Sequence, residues 1–202
     1  MKGPRRRDSA VRPSLISQGC SSRNGDDQVA VEFAAVNIFP DLETKADICR
    51  NAIDLHLGLG FGTPRVAILS AVETVNPKIP STIEAAALCK MAERGQIEGG
   101  LLDGPLALDN AISPEAARIK GIAGEVAGRA QILVVPDLEA GNMLAKNLSF
   151  LAKADSAGIV LGARVPIILT SRADSVRSRL ASCAAGVLYA HARRGTTALP
   201  TA

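Results

Sequence analysis

Short apolar runs alternate with amphipathic segments along this chain, and that alternation limits the possible folds more than any other feature. The runs that read as buried strands cover residues 29–36, 65–70, 131–135, 158–161 and 166–169. Most of them are separated by stretches long enough for a helix, which is the usual connection between parallel strands. The pattern predicts an α/β fold, layered α/β/α with a largely parallel sheet.

Helix starts are marked by residues whose side chains can cap free backbone amides. The predicted caps are Asp41, Ser81, Ser113 and Asp137, and Ser81 with Glu84 has the spacing of a capping box. The last predicted helix covers residues 174–193. Its apolar side chains are predicted to face inward, and they are Val176, Leu180, Cys183, Val187 and Leu188.

The net charge of +3 lies entirely in residues 1–28, which hold six basic and three acidic side chains. That segment is polar and aperiodic, so we expect a disordered basic extension there. Residues 29–194 are expected to form the domain, and residues 195–202 a tail. Because the domain is neutral, it carries no charge excess that would indicate a nucleic-acid partner, and no apolar run has the length of a membrane span.

The four cysteines and two histidines have no spacing typical of a metal site or a redox pair. Small buried thiols in a reducing compartment explain them better, so we expect a cytoplasmic protein with no metal.

Two predicted strand-to-helix turns contain side chains suited to binding an anion. In the first, Asp137 starts a helix and Asn142 follows about one turn later. Free amides at that helix start can bind an anion, although Asp137 and Glu139 favour the same positive end. A simple capped helix explains these residues equally well.

The second turn is the sequence Thr-Ser-Arg-Ala-Asp-Ser at residues 170–175. The hydroxyls of Thr170, Ser171 and Ser175 lie beside Arg172, whose planar donor fork can bind phosphate through two parallel hydrogen bonds. The alternative is structural: Ser171 and Asp174 have the spacing of a variant capping box, and Arg172 would then belong to a solvated face.

Several segments taken together resemble the phosphate acetyl/butyryl transferase family. They run in order from Val31 to about Arg193, and two are the most specific. These are P-D-L-E-A-G-N at 136–142 and G-A-R-V-P-I-I-L-T-S-R-A-D-S at 162–175. The resemblance implies the second lobe of a two-lobe isocitrate/isopropylmalate dehydrogenase-like fold, with the active site between lobes, and a homodimer.

The resemblance also implies the reaction, in which an acetyl or butyryl group passes between coenzyme A and inorganic phosphate without a metal or bound cofactor. The coenzyme A thioester is then a substrate. The catalytic candidates are Ser171, Arg172 and Asp174. The substrate-binding candidates are Asp137, Asn142, Thr170 and Ser175. The implied partners are acyl-CoA and phosphate, with no nucleic acid and no membrane.

Two departures from the family pattern keep an alternative open. Ser178 stands where family members carry an acidic residue proposed as the base, and Asp174 is the nearest substitute. The family's first lobe should precede Val31, where only a short polar segment stands. The alternative is therefore a truncated, non-catalytic remnant acting at most as a dimerisation lobe. A metal-dependent dehydrogenase on a related fold is disfavoured, because no D-x-x-x-D pair is placed on a helix.

Overall fold

The computed structural model describes residues 14–21, 28–33 and 37–197. The helices are α1 (Leu42–Gly58), α2 (Pro80–Glu93), α3 (Leu108–Ile112), α4 (Pro114–Ile119), α5 (Leu138–Lys146), a π-helical turn (Asn147–Leu151) and α6 (Val176–Thr197). The strands are β1 (Ser14–Ser21), β2 (Gln28–Phe33), β3 (Arg65–Leu69), β4 (Leu101–Leu106), β5 (Ile132–Val134), β6 (Ile159–Leu161) and β7 (Ile167–Ile168).

These strands form one seven-stranded sheet in the order β4-β3-β5-β2-β1-β6-β7. The pairs β3–β4, β3–β5 and β2–β5 are parallel, as the alternation of strands and helices predicts. The pairs β1–β2, β1–β6 and β6–β7 are antiparallel. The α/β fold class is confirmed, but the parallel arrangement is limited to four neighbouring strands within the described residues.

Strand β1 differs from the sequence prediction, which expected disorder throughout residues 1–28. Its backbone pairs with β2 over six residue pairs, from Ile16–Phe33 to Ser21–Gln28, and also with β6. Ladder hydrogen bonds can order a polar segment that has no clear hydrophobic pattern, which is why composition did not reveal this strand. Residues 1–13 and 22–27, for which disorder was also predicted, lie outside the described residues.

The two faces of the central strands are buried in two different cores. Along β3, Val66 and Ile68 face the core formed with α1 and α2, while Ala67 and Leu69 face the core formed with α3, α4 and α5. Alternate residues point to opposite faces of a strand, so helices must cover both sides of this sheet. The structure accordingly has the predicted α/β/α layers.

Local capping explains three of the predicted helix starts. The carboxylates of Asp41 and Asp137 accept hydrogen bonds from the amides of Thr44 and Ala140, each at 2.8 Å. The Ser113 hydroxyl accepts one from the Ala116 amide at 3.2 Å. Each bond satisfies an amide in the first helical turn that has no partner within the helix.

The predicted capping box at Ser81 is wrong. Helix α2 begins at Pro80, so Ser81 is its second residue rather than its cap, and no side chain caps the helix. The Ser81 hydroxyl instead lies 2.8 Å from that of Ser70, and Glu84 forms an ion pair with Lys45 of α1. Proline fits the first helical position because it has no amide to satisfy. Ser81 and Glu84 contact Ser70 and Lys45 instead of forming the capping box.

The predicted inward face of α6 is also wrong. The five apolar side chains expected to face inward are all exposed: Val176, Leu180, Cys183, Val187 and Leu188. The inward face consists of Ser182, Gly186 and Tyr189 instead. A Cβ on Gly186 would lie 3.4 Å from a carbon of Ile168, so small residues allow the helix to approach the sheet closely.

Gly128 provides a test of how the loop before β5 is packed. Its φ is +75°, and a Cβ there would lie 2.5 Å from the Cα of Pro114. Gly60 is the matched control, because its φ is +84° and nothing lies within 4 Å of a Cβ. We expect Gly60→Ala to cost about 1–2 kcal/mol of unfolding free energy from backbone strain. Gly128→Ala should cost about 1–3 kcal/mol more from the clash.

Urea denaturation of the two variants measures this difference. Equal midpoints for Gly60→Ala and Gly128→Ala would contradict the packing of Gly128 against Pro114.

The buried histidine of α1 makes the stability depend on pH. Burial lowers the pKa of His56, the charge of Arg65 lowers it further, and its Nε2 has no hydrogen-bond partner in the described part of the chain. The unfolded chain takes up a proton at the ordinary pKa of about 6.5, whereas the folded chain holds this ring neutral. The stability from neutral His56 is therefore lost as pH falls below about 6.5.

We expect the unfolding free energy of the wild type to decrease between about pH 7.5 and pH 5.5, and His56→Gln to flatten that slope. His191→Gln is the control, because that ring is exposed on α6. Chemical denaturation at several pH values measures the slope. The same slope in wild type and His56→Gln would show that another group causes it.

Candidate functional site

The Ser-Arg turn, residues 170–175, connects β7 to α6 and contains most of the predicted site residues. Thr170, Ser171, Arg172 and Ser175 are exposed, and Asp174 is half-buried. The turn lies at the amino end of β6, because the Leu169 amide donates to the Gly158 carbonyl at 3.1 Å. The structure thus brings five of the seven candidates together in one exposed segment.

Backbone hydrogen bonds within the turn involve Ser171 repeatedly. Its amide donates to the Asp174 carboxylate at 2.5 Å, and its carbonyl accepts from the Asp174 amide at 3.1 Å. Its hydroxyl accepts from the Ala173 amide at 3.4 Å. Helix α6 begins only at Val176, so the predicted S-x-x-D spacing closes the turn before the helix rather than capping the helix itself.

Ser175 is the residue that caps α6. Its hydroxyl accepts from the Ser178 amide at 3.1 Å and lies 3.0 Å from the Ser178 hydroxyl. The Ser178 hydroxyl also accepts from Ser156 at 3.3 Å, near the start of β6. The position that the resemblance aligns with an acidic residue is therefore occupied here by a hydroxyl, which connects the helix to the segment before β6.

Arg172 differs from the other arginines near it. Arg177 forms an ion pair with Asp155 at 2.7 Å, and Arg179 donates to the Arg172 carbonyl at 3.5 Å. For the guanidinium of Arg172, residues 37–194 show no hydrogen bond or ion pair. An exposed guanidinium with all donors unoccupied can bind a phosphate through two parallel hydrogen bonds.

The second predicted turn, around Asp137, is in a different place. Its carboxylate is occupied in capping α5, and Asn142 is exposed within that helix. The turn follows β5, at the carboxyl edge of the parallel strands. Strand β7 is antiparallel to β6, which runs in the same direction as β5.

The two turns therefore lie at opposite edges of the sheet, and four strand spacings, roughly 19 Å, separate β5 from β7. The structure does not bring Asp137 and Asn142 together with the Ser-Arg turn. The sequence could not show this, because the direction of a two-residue strand is set by its pairing partner.

A third polar cluster, missed by the sequence analysis, lies after β3 and β4. Glu73 accepts from Asn110 at 3.2 Å and from Lys120 at 3.4 Å, and Lys120 also contacts Asp109 at 3.0 Å. The hydrogen bond from Lys120 lowers the pKa of Asp109, and the same bond raises the pKa of Lys120. Because these residues are far apart in sequence, only the fold reveals the cluster, which connects the loop after β3 to α3 and to the end of α4.

In the described ranges, no three His, Cys, Asp or Glu side chains are grouped so that they would hold a metal ion. No described helix has both the length and the apolar character to cross a bilayer. A cavity of about 430 Å³ beside the end of α1 is lined by Arg50, Asp54 and Glu98 among others, and it includes none of the predicted site residues.

Comparison with known families gives a match over most of the chain. Residues 13–186 match the family model described as "Phosphate acetyl/butaryl transferase". The matched range includes the Ser-Arg turn and the Asp137 turn, which carry the resemblance found in the sequence.

Individual relatives agree with that match. The chain is 76% identical over 168 residues to a phosphate acetyltransferase of Rhizobium meliloti, covering 83% of this chain and 53% of the relative. It is 47% identical over 156 residues to a phosphate butyryltransferase of Clostridium acetobutylicum, covering 77% of this chain and 52% of the relative. The chain thus spans about half the length of the curated relatives it matches.

A solved structure agrees at the level of the fold. A branched-chain phosphotransacylase from Enterococcus faecalis V583 superposes with a TM-score of 0.80 at 33% identity, covering 89% of this chain and 64% of that one. Together with the match over residues 13–186, this similarity shows that the chain belongs to the phosphate acetyl/butyryl transferase family.

Proposed function

We propose that this chain contributes to a phosphate acyltransferase, which exchanges an acetyl or butyryl group between coenzyme A and inorganic phosphate. The observation that carries the proposal is the exposed guanidinium of Arg172, which has no hydrogen bond or ion pair within residues 37–194 and follows Ser171 in the same turn. The names of the relatives, a phosphate acetyltransferase and a phosphate butyryltransferase, support the reaction class.

In the proposed reaction, a phosphate oxygen attacks the thioester carbonyl carbon, the carbon–sulfur bond breaks, and the coenzyme A thiolate leaves and takes up a proton. Arg172 binds the phosphate charge through its donor fork, and Ser171 donates a hydrogen bond to the carbonyl or thiol end. Thr170 and Ser175 add hydroxyls at the same turn. Positioning and charge neutralisation then supply the rate enhancement, with no metal and no bound cofactor in the proposal.

The proposal does not rely on Asp137 and Asn142. The first is occupied as a helix cap, and both lie at the opposite edge of the sheet from Arg172. A role for them in substrate binding would require a long substrate that reaches around the sheet.

We further propose that the described domain is the second lobe of a two-lobe isocitrate/isopropylmalate dehydrogenase-like fold, and that it functions in the cytoplasm. The solved relative supports the first part, because this chain covers 64% of it. The thiols of Cys89 and Cys183, which form no disulfide within the described residues, support a reducing compartment.

A homodimer is part of the proposal, because β7, the residues on either side of it and α6 expose many apolar side chains. They are Val165, Ile167, Ile168, Leu169, Val176, Leu180, Val187 and Leu188. A patch of this kind on a protein surface usually marks an interaction site.

We expect the wild type to sediment as a dimer or larger species at micromolar concentration, and the double substitution Leu180→Ser and Val187→Ser to shift it toward monomer. Ile119→Ser is the matched control, since Ile119 is 69% exposed on α4, comparable to the 65% of Leu180. A wild-type monomer, or equal behaviour of the two variants, would contradict association through α6.

The catalytic assignment is tested at Arg172. We expect Arg172→Ala to reduce phosphate acyltransferase activity about ten- to a hundredfold, since a charge-assisted hydrogen bond contributes about 1.5–3 kcal/mol. Arg172→Lys should recover little, because lysine keeps the charge and loses the fork. Ser171→Ala should cost less, because a single neutral hydrogen bond is lost. Arg164→Ala, an exposed arginine in the loop between β6 and β7, is the control.

The assay follows acetyl-CoA and butyryl-CoA consumption with phosphate. It uses this chain alone, and this chain mixed with a separately made amino-terminal half of the Rhizobium meliloti relative. Activity that persists unchanged in Arg172→Ala would contradict the site. Absence of activity in both preparations would favour the non-catalytic remnant.

A further inference from the structure

The side chain of Asp174 faces its own turn, although it is the carboxylate nearest in sequence to Ser171 and Arg172. Its Oδ2 accepts the Ser171 amide at 2.5 Å, a short charge-assisted bond. Its own amide donates to the Ser171 carbonyl at 3.1 Å. Both backbone polar groups of Ser171 are thus bonded to one residue, three positions further along the chain.

These two hydrogen bonds join Ser171 to Asp174, and Arg172 lies in the short stretch of backbone between them. The carbonyl of Arg172 accepts from Arg179 at 3.5 Å, so the backbone on its other side is also held from α6. The exit from the turn is fixed by the Ser175 cap on Ser178. The side chain of Arg172 therefore leaves a backbone that is restrained at residues 171, 172 and 175, while its guanidinium has no partner among residues 37–194.

A carboxylate used in this way is poorly placed to accept a proton from a substrate. A general base must lie within hydrogen-bond reach of the proton it removes, and Oδ2 is directed at the Ser171 amide. The other described carboxylate that contacts this region, Asp155, forms an ion pair with Arg177. The Ser178 position offers a hydroxyl, which is not a base near neutral pH.

We propose that Asp174 is a positioning residue, which holds the Ser171–Arg172 backbone in the conformation that presents the guanidinium to phosphate, and that it is not the proton acceptor. This inference rests on the proposed function and gives Asp174 a role different from the catalytic one that the resemblance implies. Asp174 holds the turn by accepting a hydrogen bond from the Ser171 amide. An asparagine at position 174 has a side-chain oxygen that can accept the same bond, so it should serve nearly as well.

The first measurement needs no activity. In NMR-detected hydrogen exchange, the Ser171 amide should be protected in the wild type and in Asp174→Asn. It should exchange about ten- to a hundredfold faster in Asp174→Ala, where the acceptor is lost. Asp155→Asn is the control, because that carboxylate bonds Arg177 and not the turn. Unchanged Ser171 exchange in Asp174→Ala would overturn the proposal.

The second measurement separates positioning from base catalysis in the mixed preparation with the amino-terminal half. Asp174→Asn should keep kcat within about threefold with an unchanged pH profile, whereas removal of a base typically costs about 10²–10⁴. Asp174→Ala should mainly raise the KM for phosphate. A loss of about a hundredfold in Asp174→Asn, with the Ser171 amide still protected, would identify Asp174 as the base and overturn the proposal.

The hydrogen-exchange measurement does not depend on the proposed function. If the mixed preparation has no activity at all, the acyltransferase proposal fails, and the exchange rates of Ser171 still decide whether Asp174 holds the turn. In that case, phosphate binding is measured by phosphorus NMR line broadening of inorganic phosphate instead of by KM. The broadening is compared between wild type and Asp174→Ala. Equal broadening in both would overturn the positioning role.

Discussion

Burial of strands β3 and β5 on both faces is the constraint on which the other elements depend. Val66, Ile68 and Ile132 face one core, and Ala67 and Leu133 face the other, with each side chain 3% exposed or less. A sheet with two apolar faces is stable only when helices cover both of them. The parallel strands require crossover connections, and α2, α3 and α4 lie in those connections, on the two faces of the sheet.

Helix α6 follows a different rule, because its small residues face the sheet. Gly186 and Ser182 allow close approach, and the Ser182 hydroxyl accepts the Gly158 amide at 2.9 Å while donating to the Ser178 carbonyl at 2.7 Å. Tyr189 supplies the large buried surface near the end of the helix. The apolar side chains of α6 are consequently left on the outside, next to the equally exposed β7.

The sequence was sufficient to predict local features, such as helix caps, that depend on residues close together in the chain. Caps such as Asp41 and Asp137 act over three positions, so local pattern was sufficient to place them. The sequence did not predict features that depend on contacts between residues far apart in the chain. Ser81 has the right neighbours for a capping box but a better partner in Ser70, and hydrophobic periodicity groups the residues of α6 without showing which group meets the sheet.

The candidate site likewise has one feature that the sequence predicted and one that it did not. The family resemblance singled out Ser171 and Arg172 as a pair, and the structure shows them in one exposed turn. The separation of this turn from Asp137 follows from strand direction: β6 and β7 are antiparallel, so their connection returns the chain to the amino edge of the parallel strands. Neither the order of the elements nor their composition contains that information, because β7 has only two residues.

The Ser-Arg turn is shaped by its own hydrogen bonds more than by the core. Its residues are almost all exposed, and the bonds that define it join Ser171 to Asp174 and Ser175 to Ser178. Such a turn can keep its geometry when core substitutions lower stability, provided that α6 stays attached to β6. In the proposed enzyme, the phosphate would lie at this turn beside the apolar face of β7 and α6. A partner that covers that face would therefore also exclude water from Arg172, and exclusion of water strengthens the attraction between a guanidinium and a phosphate.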